Sequence, residues 1–145
     1  LEDVDSVAIN ELLQSAVMEM YHPAQQAGIE LRLHPHAAQV THVGQPLLLG
    51  LLVRNLLDNA VRYSPRGSRV DITLDARGFR VCDNGPGISA EALARLGERF
   101  YRPPGQDAPG SGLGLSIVRR IAALHGMTVT FGNAPDGGFE VRVGW

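Results

Sequence analysis

The sequence predicts an α+β fold, a two-layer sandwich of helices on a mostly antiparallel sheet, and three observations carry that expectation. Val70, Ile72 and Leu74 alternate with Asp71, Thr73 and Asp75, the period of a strand buried on one face. Residues 45–63 are apolar on nearly all sides, as expected of a helix packed on a sheet and covered elsewhere. Helix-like and strand-like runs segregate into two layers, with no internal repeat and no second domain.

In chain order, Ile9, Leu12, Leu13, Ala16, Val17, Met20 and Tyr21 recur at helical spacing and predict an amphipathic helix over 9–22. Pro23 is placed to kink it and Gly28 to stop it. "IELRL" (29–33) alternates like a strand, and "VTHV" (40–43) suggests a short second one. The apolar helix of 45–63 ends at "SPRGS" (64–68). The alternating strand 70–75 follows, with 79–83 as its antiparallel partner across the turn at 76–78. Ser89 is a good N-cap for a short helix carrying Glu91 in its first turn. "YRPPGQDAPGSG" (101–112) holds three prolines and three glycines and reads as a loop. Residues 113–124 then form a helix that Gly126 terminates. Met127, Val129 and Phe131 pair with Phe139, Val141 and Val143 in a closing hairpin across "NAPDGG".

Composition narrows the function classes. A net charge of −2 gives no basic field for nucleic acid. The single cysteine, Cys82, excludes an internal disulfide framework and fits a reducing compartment. No apolar run reaches the roughly 18 residues that span a bilayer. All 13 basic residues are arginine. The absence of lysine removes every phosphate site built on one, the Walker A loop included.

Three constellations could carry chemistry. In "VRNLLDNAVRYSP", Asn55 and Asn59 lie four residues apart on one helix face, with Cβ atoms about 5–6 Å apart. Amide carbonyls suit Mg²⁺ when a triphosphate supplies the negative charge and water fills the other positions. The same spacing also fits amides that merely hydrogen-bond neighbouring loops. In "CDNGPGIS", Asp83 ends a strand before a tight turn and a helix. It can accept the exocyclic amino proton of adenine, where guanine would present a carbonyl oxygen. Gly85, Gly87 and Ala90 also match a variant dinucleotide fingerprint, but the second strand that such a unit needs does not follow. "GSGLGLS" (110–116) opens a helix whose free N–H groups favour phosphate, or is a simple hinge. With no lysine, the cations near a phosphate would have to be Arg62, Arg99 or Arg102, each of which also reads singly as a solvated surface charge.

Taken together, "NLLDNAVRYSP", "DNGPGI", "ERFYRP" and "GSGLGLSIV" resemble the N box, first glycine box, F box and second glycine box of bacterial sensor histidine kinases. The resemblance implies a Bergerat-type ATP-binding fold, a mixed five-stranded sheet backed by three helices, over residues 9–145. It implies ATP and Mg²⁺ as ligands. Asn59 would ligate the metal, Asn55 would act catalytically beside the phosphates, and Asp83 would read adenine. Arg62 stands where the family has lysine, and Tyr63 would stack near adenine or ribose. The remaining ATP contacts would come from Gly85, Gly87, Ile88, Tyr101, Arg102, Gly110, Ser111, Gly112, Leu113, Gly114 and Leu115, with a lid at about 97–111.

Hydrolases of the same fold carry glutamate where this chain has Asn55, and that glutamate activates water. An amide cannot take a water proton, and Asp58 sits about 100° around the helix from Asn59. ATP is therefore expected to be held for transfer. Hydrolysis and a nucleotide-gated interaction module without transfer are the alternatives. His22, His34, His36, His42 and His125 all lack the family's acceptor context and read as surface or structural histidines. The resemblance thus implies an acceptor histidine on a dimerisation domain absent from this chain, residues 1–8 being the remaining linker. A response regulator would be the onward partner of the full-length protein. The domain itself is expected to be cytoplasmic, without direct membrane contact, in a parent held in the bacterial inner membrane.

Overall fold

The computed structural model describes residues 1–96, 98, 114–135 and 137–145. Eleven elements are found among them. Strand β1 (Asp5–Ala8) leads into α1 (Ile9–Ala27), followed by β2 (Glu30–His34), β3 (Thr41–Gly44) and α2 (Pro46–Tyr63). Then come β4 (Arg69–Asp75), β5 (Gly78–Asp83), the short α3 (Ala90–Arg95), α4 (Gly114–Leu124), β6 (Thr128–Asn133) and β7 (Phe139–Gly144).

The main sheet has five strands in the order β2-β4-β5-β7-β6. β2 and β4 are parallel and the other pairs antiparallel, so the sheet is mixed. Every second residue of β4 (Val70, Ile72, Leu74) is buried, and their partners on β5 and β7 (Phe79, Val81, Val141, Val143) join them in one core. α2 lies between α1 and α4 over β5, α1 over β2 and α4 over β6. Burying one face of each layer against the other is what stabilises such a sandwich.

α2 starts where Gln45 caps it, its side chain accepting from the Leu48 N–H at 2.8 Å with Pro46 in the first turn. Its core stripe is Leu49, Leu52, Val53, Leu56, Leu57 and Val61. The expectation that its outer side is also covered is corrected here. Leu47 is 81% exposed and Leu51 is exposed as well. α4 runs antiparallel to α2. His125, just past α4, accepts from the Gln45 N–H through Nε2 (3.1 Å), while its Nδ1 donates to the Ile121 carbonyl (2.7 Å). At the other end, Gly114 opens α4 beside Asn55.

One helix and one strand differ in extent from expectation. α1, expected over 9–22 with Gly28 as its stop, runs through Pro23 to Ala27 and is capped by Gly28 at φ +73°. Its buried stripe (Ile9, Leu13, Ala16, Met20, Ala24) extends past the proline, and that packing outweighs one missing helical hydrogen bond. Residues 5–8, read as linker, form β1, which pairs antiparallel with β3 in a separate two-stranded sheet.

Candidate functional site

The turn from β5 to α3 sets the site. Asp83 ends β5, and its Oδ1 accepts two backbone N–H groups, from Gly85 at 2.9 Å and from Phe139 at 3.1 Å. Among the described residues, Oδ2 receives only a longer contact, from the Ser64 hydroxyl at 3.4 Å. One carboxylate oxygen is thus committed to the protein, and the other keeps acceptor capacity. Asn84 turns the opposite way and accepts from the Arg69 N–H at 2.7 Å, tying the loop to the start of β4. Ser89 caps α3 by accepting from the Ala92 N–H.

A cleft open to solvent gathers Asn59, Tyr63, Ser64 and Asp83 against an apolar wall that includes Leu56, Val81, Phe139 and Val141. An apolar wall with a few convergent polar groups suits a flat heteroaromatic ring with a polar edge. The amide helix and the aspartate, distant in sequence, therefore share one cavity. Asn55 lies one turn earlier on α2. Its Nδ2 donates to the Leu51 carbonyl (3.0 Å), and a Cβ built on Gly114 would lie 3.8 Å from its Oδ1. Asn55 and the start of α4 are neighbours.

Other expected site residues are placed differently. The Arg62 Nε donates to Asp58 at 2.9 Å, so this cation is engaged with the helix acid four residues earlier. The Leu115 side chain is part of the core, which leaves only its backbone for a ligand. The N–H of Gly85 is spent on Asp83, and both backbone polar groups of Ile88 are spent on the side chain of Asn133. Gly87 sits at φ +76°, a conformation that glycine adopts without strain. Tyr101, Arg102, Gly110, Ser111, Gly112 and Leu113, and the lid expected at 97–111 apart from Glu98, lie outside the described residues. Sequence reasoning missed Ser64, Phe139 and Asn133. Their partners are 19, 56 and 45 residues away, beyond any local pattern.

Among the described residues no group of three His, Cys, Asp or Glu side chains could cage a metal. The donor set fits Mg²⁺ in another form. The Asn59 amide lines the cleft, and one carbonyl oxygen suffices for an ion whose remaining ligands are phosphate and water.

Residues 44–145 match the Histidine kinase-, DNA gyrase B-, and HSP90-like ATPase family. Over all 145 residues the chain is 68% identical to the sensor protein QseC of Salmonella typhimurium, and it spans 32% of that protein's length. It is 39% identical to the sensor protein kinase PmrB of Pseudomonas aeruginosa, covering 99% of this chain and 31% of that one. Among solved structures, the cytoplasmic segment of histidine kinase QseC superposes with a TM-score of 0.74 at 52% identity, over 100% of this chain and 75% of that one. Full-length ShkA in complex with AMPPNP superposes with a TM-score of 0.83 at 31% identity, over 97% of this chain and 30% of that one. With the mixed five-stranded sheet and these matches, the chain belongs to the family of histidine kinase-, DNA gyrase B- and HSP90-like ATPases.

Proposed function

We propose that this domain binds Mg·ATP and delivers its γ-phosphate to a histidine on the dimerisation domain of a two-component sensor kinase. A single observation carries the reading: Asp83, with one oxygen fixed by two backbone N–H groups, shares a cleft with Asn59 and Tyr63. The other carboxylate oxygen, Oδ2, accepts the adenine amino proton, and Tyr63 and the apolar wall hold the ring. Asn59 would hold Mg²⁺, which when bound neutralises phosphate charge. Asn55 and the start of α4, adjacent in space, flank the phosphates, where the helix N-terminus favours negative charge.

Transfer rather than hydrolysis follows from the side chains on α2. Asn55 is not a base, and the helix's one acid, Asp58, is paired with Arg62. The incoming histidine nitrogen forms the new bond to phosphorus as the bond to the bridging oxygen breaks, and ADP leaves with that electron pair. Positioning and charge neutralisation supply most of the catalysis in such a step. The full-length protein would pass the phosphoryl group to a response regulator and sit in the bacterial inner membrane. Among the described residues, no helix is long and apolar enough to cross one.

The test mixes this domain with a separately produced dimerisation domain and γ-labelled ATP. Acid-labile phosphate on the acceptor is the expected result. Rapid release of free phosphate by this domain alone would place it with the hydrolases instead.

A further inference from the structure

The loop that follows Asp83 is held at both ends by the β6–β7 hairpin. At its start, the Phe139 N–H donates to Asp83 Oδ1. Gly138, at φ +87°, lets the hairpin backbone pass so close that a Cβ there would lie 1.9 Å from the Asp83 carbonyl oxygen. At its finish, the Asn133 side chain takes both polar groups of the Ile88 backbone. Oδ1 accepts from the Ile88 N–H at 2.9 Å, and Nδ2 donates to the Ile88 carbonyl at 2.7 Å. Such a two-point amide contact fixes both position and orientation, as a ladder pair does in a sheet. Gly87 is matched to it, since a Cβ at Gly87 would lie 2.6 Å from Asn133 Oδ1.

Asn133 is exposed. Hydrogen bonds that compete with water contribute modestly to global stability, so this clamp acts chiefly on the loop it holds. That loop includes Gly85, whose N–H, together with that of Phe139, anchors Oδ1 and thereby sets the direction of Oδ2. We infer that Asn133 is a positioning residue for base recognition: by clamping Ile88 it holds Asp83 aimed at the purine and so supports the choice of adenine over guanine without touching the nucleotide. The inference rests on the reading of the cleft as an ATP site.

The experiment measures binding of Mg·ATP and Mg·GTP by calorimetry to the wild type and to Asn133→Ala and Asn133→Asp, with melting midpoints alongside. The aspartate variant keeps the acceptor for the Ile88 N–H but sets an oxygen against the Ile88 carbonyl. The ratio of ATP to GTP affinity should fall about fivefold to tenfold in both variants, with GTP affinity and melting midpoint near wild type. Exchange of the Ile88 amide with deuterium should quicken in the nucleotide-free variants. An unchanged ratio in both variants overturns the inference, as does parallel weakening of both nucleotides in step with the melting midpoint. Should the alanine variant fail to fold, the aspartate variant decides. A wild type that binds no Mg·ATP would fail the ATP-site reading itself, whereas ATP binding indifferent to Asn133 fails only the positioning role.

Discussion

Replacing Asp83 with asparagine exchanges one oxygen for an NH₂ group at nearly constant shape, and the surrounding backbone dictates which oxygen is lost. The Gly85 and Phe139 N–H groups both point at Oδ1. The amide must therefore keep its carbonyl there, since the opposite orientation would set NH₂ against two donors. Nδ2 then occupies the place of Oδ2 and offers a proton where adenine also offers one. The variant loses a hydrogen bond to a charged acceptor, about 1.5–3 kcal/mol, which corresponds to roughly a tenfold to hundredfold rise in the Kd for ATP. A guanine carbonyl would meet that NH₂ group favourably, so the preference between the two purines should narrow or invert. Calorimetry with Mg·ATP and Mg·GTP on wild type and Asp83→Asn reads both numbers. Unchanged ATP affinity, or equal loss for both nucleotides, would refute the assignment of Asp83 to the base.

Asn59→Ala should weaken Mg·ATP binding roughly tenfold, the size of one lost contact to a charged partner, while metal-free ATP binding stays as in the wild type; a magnesium titration of nucleotide affinity checks this. Gly138→Ala places a Cβ 1.9 Å from the Asp83 carbonyl oxygen at φ +87°, so urea denaturation should show a loss of about 2–4 kcal/mol. Stability should also carry an acid-side signature from Asp71. Partial burial alone would raise its pKa, but hydrogen bonds from His34 and Arg69 outweigh that and hold the carboxyl below its ordinary 3.8. A carboxylate depressed in the folded state stabilises fully above its unfolded pKa, and that contribution fades as pH falls through the folded value. The stability gap between wild type and Asp71→Asn should therefore be widest near neutral pH and close below about 3.8; denaturation curves across that range will show it.

The main elements were legible because local chemistry and tertiary packing agree on them. The strand alternation at Val70–Leu74, the glycine stop at Gly28 and the cap at Ser89 each matched the structure within a residue or so. Asn55, Asn59 and Asp83 stood out through the motifs that hold them, since the amide spacing alone fits loop hydrogen bonds equally well, and the structure sets Asn59 and Asp83 on one cleft. What escaped notice depends on distance along the chain. β1 is four residues long with a single buried side chain, too short for a period to show. The stretch of α1 past residue 22, up to the expected Gly28 stop, rests on buried Ala24, a core contact that outweighs the local propensity for a kink at Pro23. The grip of the β6–β7 hairpin on Asp83 joins residues 56 positions apart, and "NAPDGG" carries only the signature of a turn. The pairing of Arg62 with Asp58 was within reach, since the two stand four residues apart on one helix.

Titration of the isotope-labelled domain with Mg·ATP, followed through backbone amide resonances, probes the shared cleft most directly. Saturable shifts concentrated at Asn59, Tyr63, Gly85 and Phe139, and weakened by Asp83→Asn, are the expected result. Shifts confined to another surface, or no saturable change at these amides, would contradict nucleotide binding between α2 and β5.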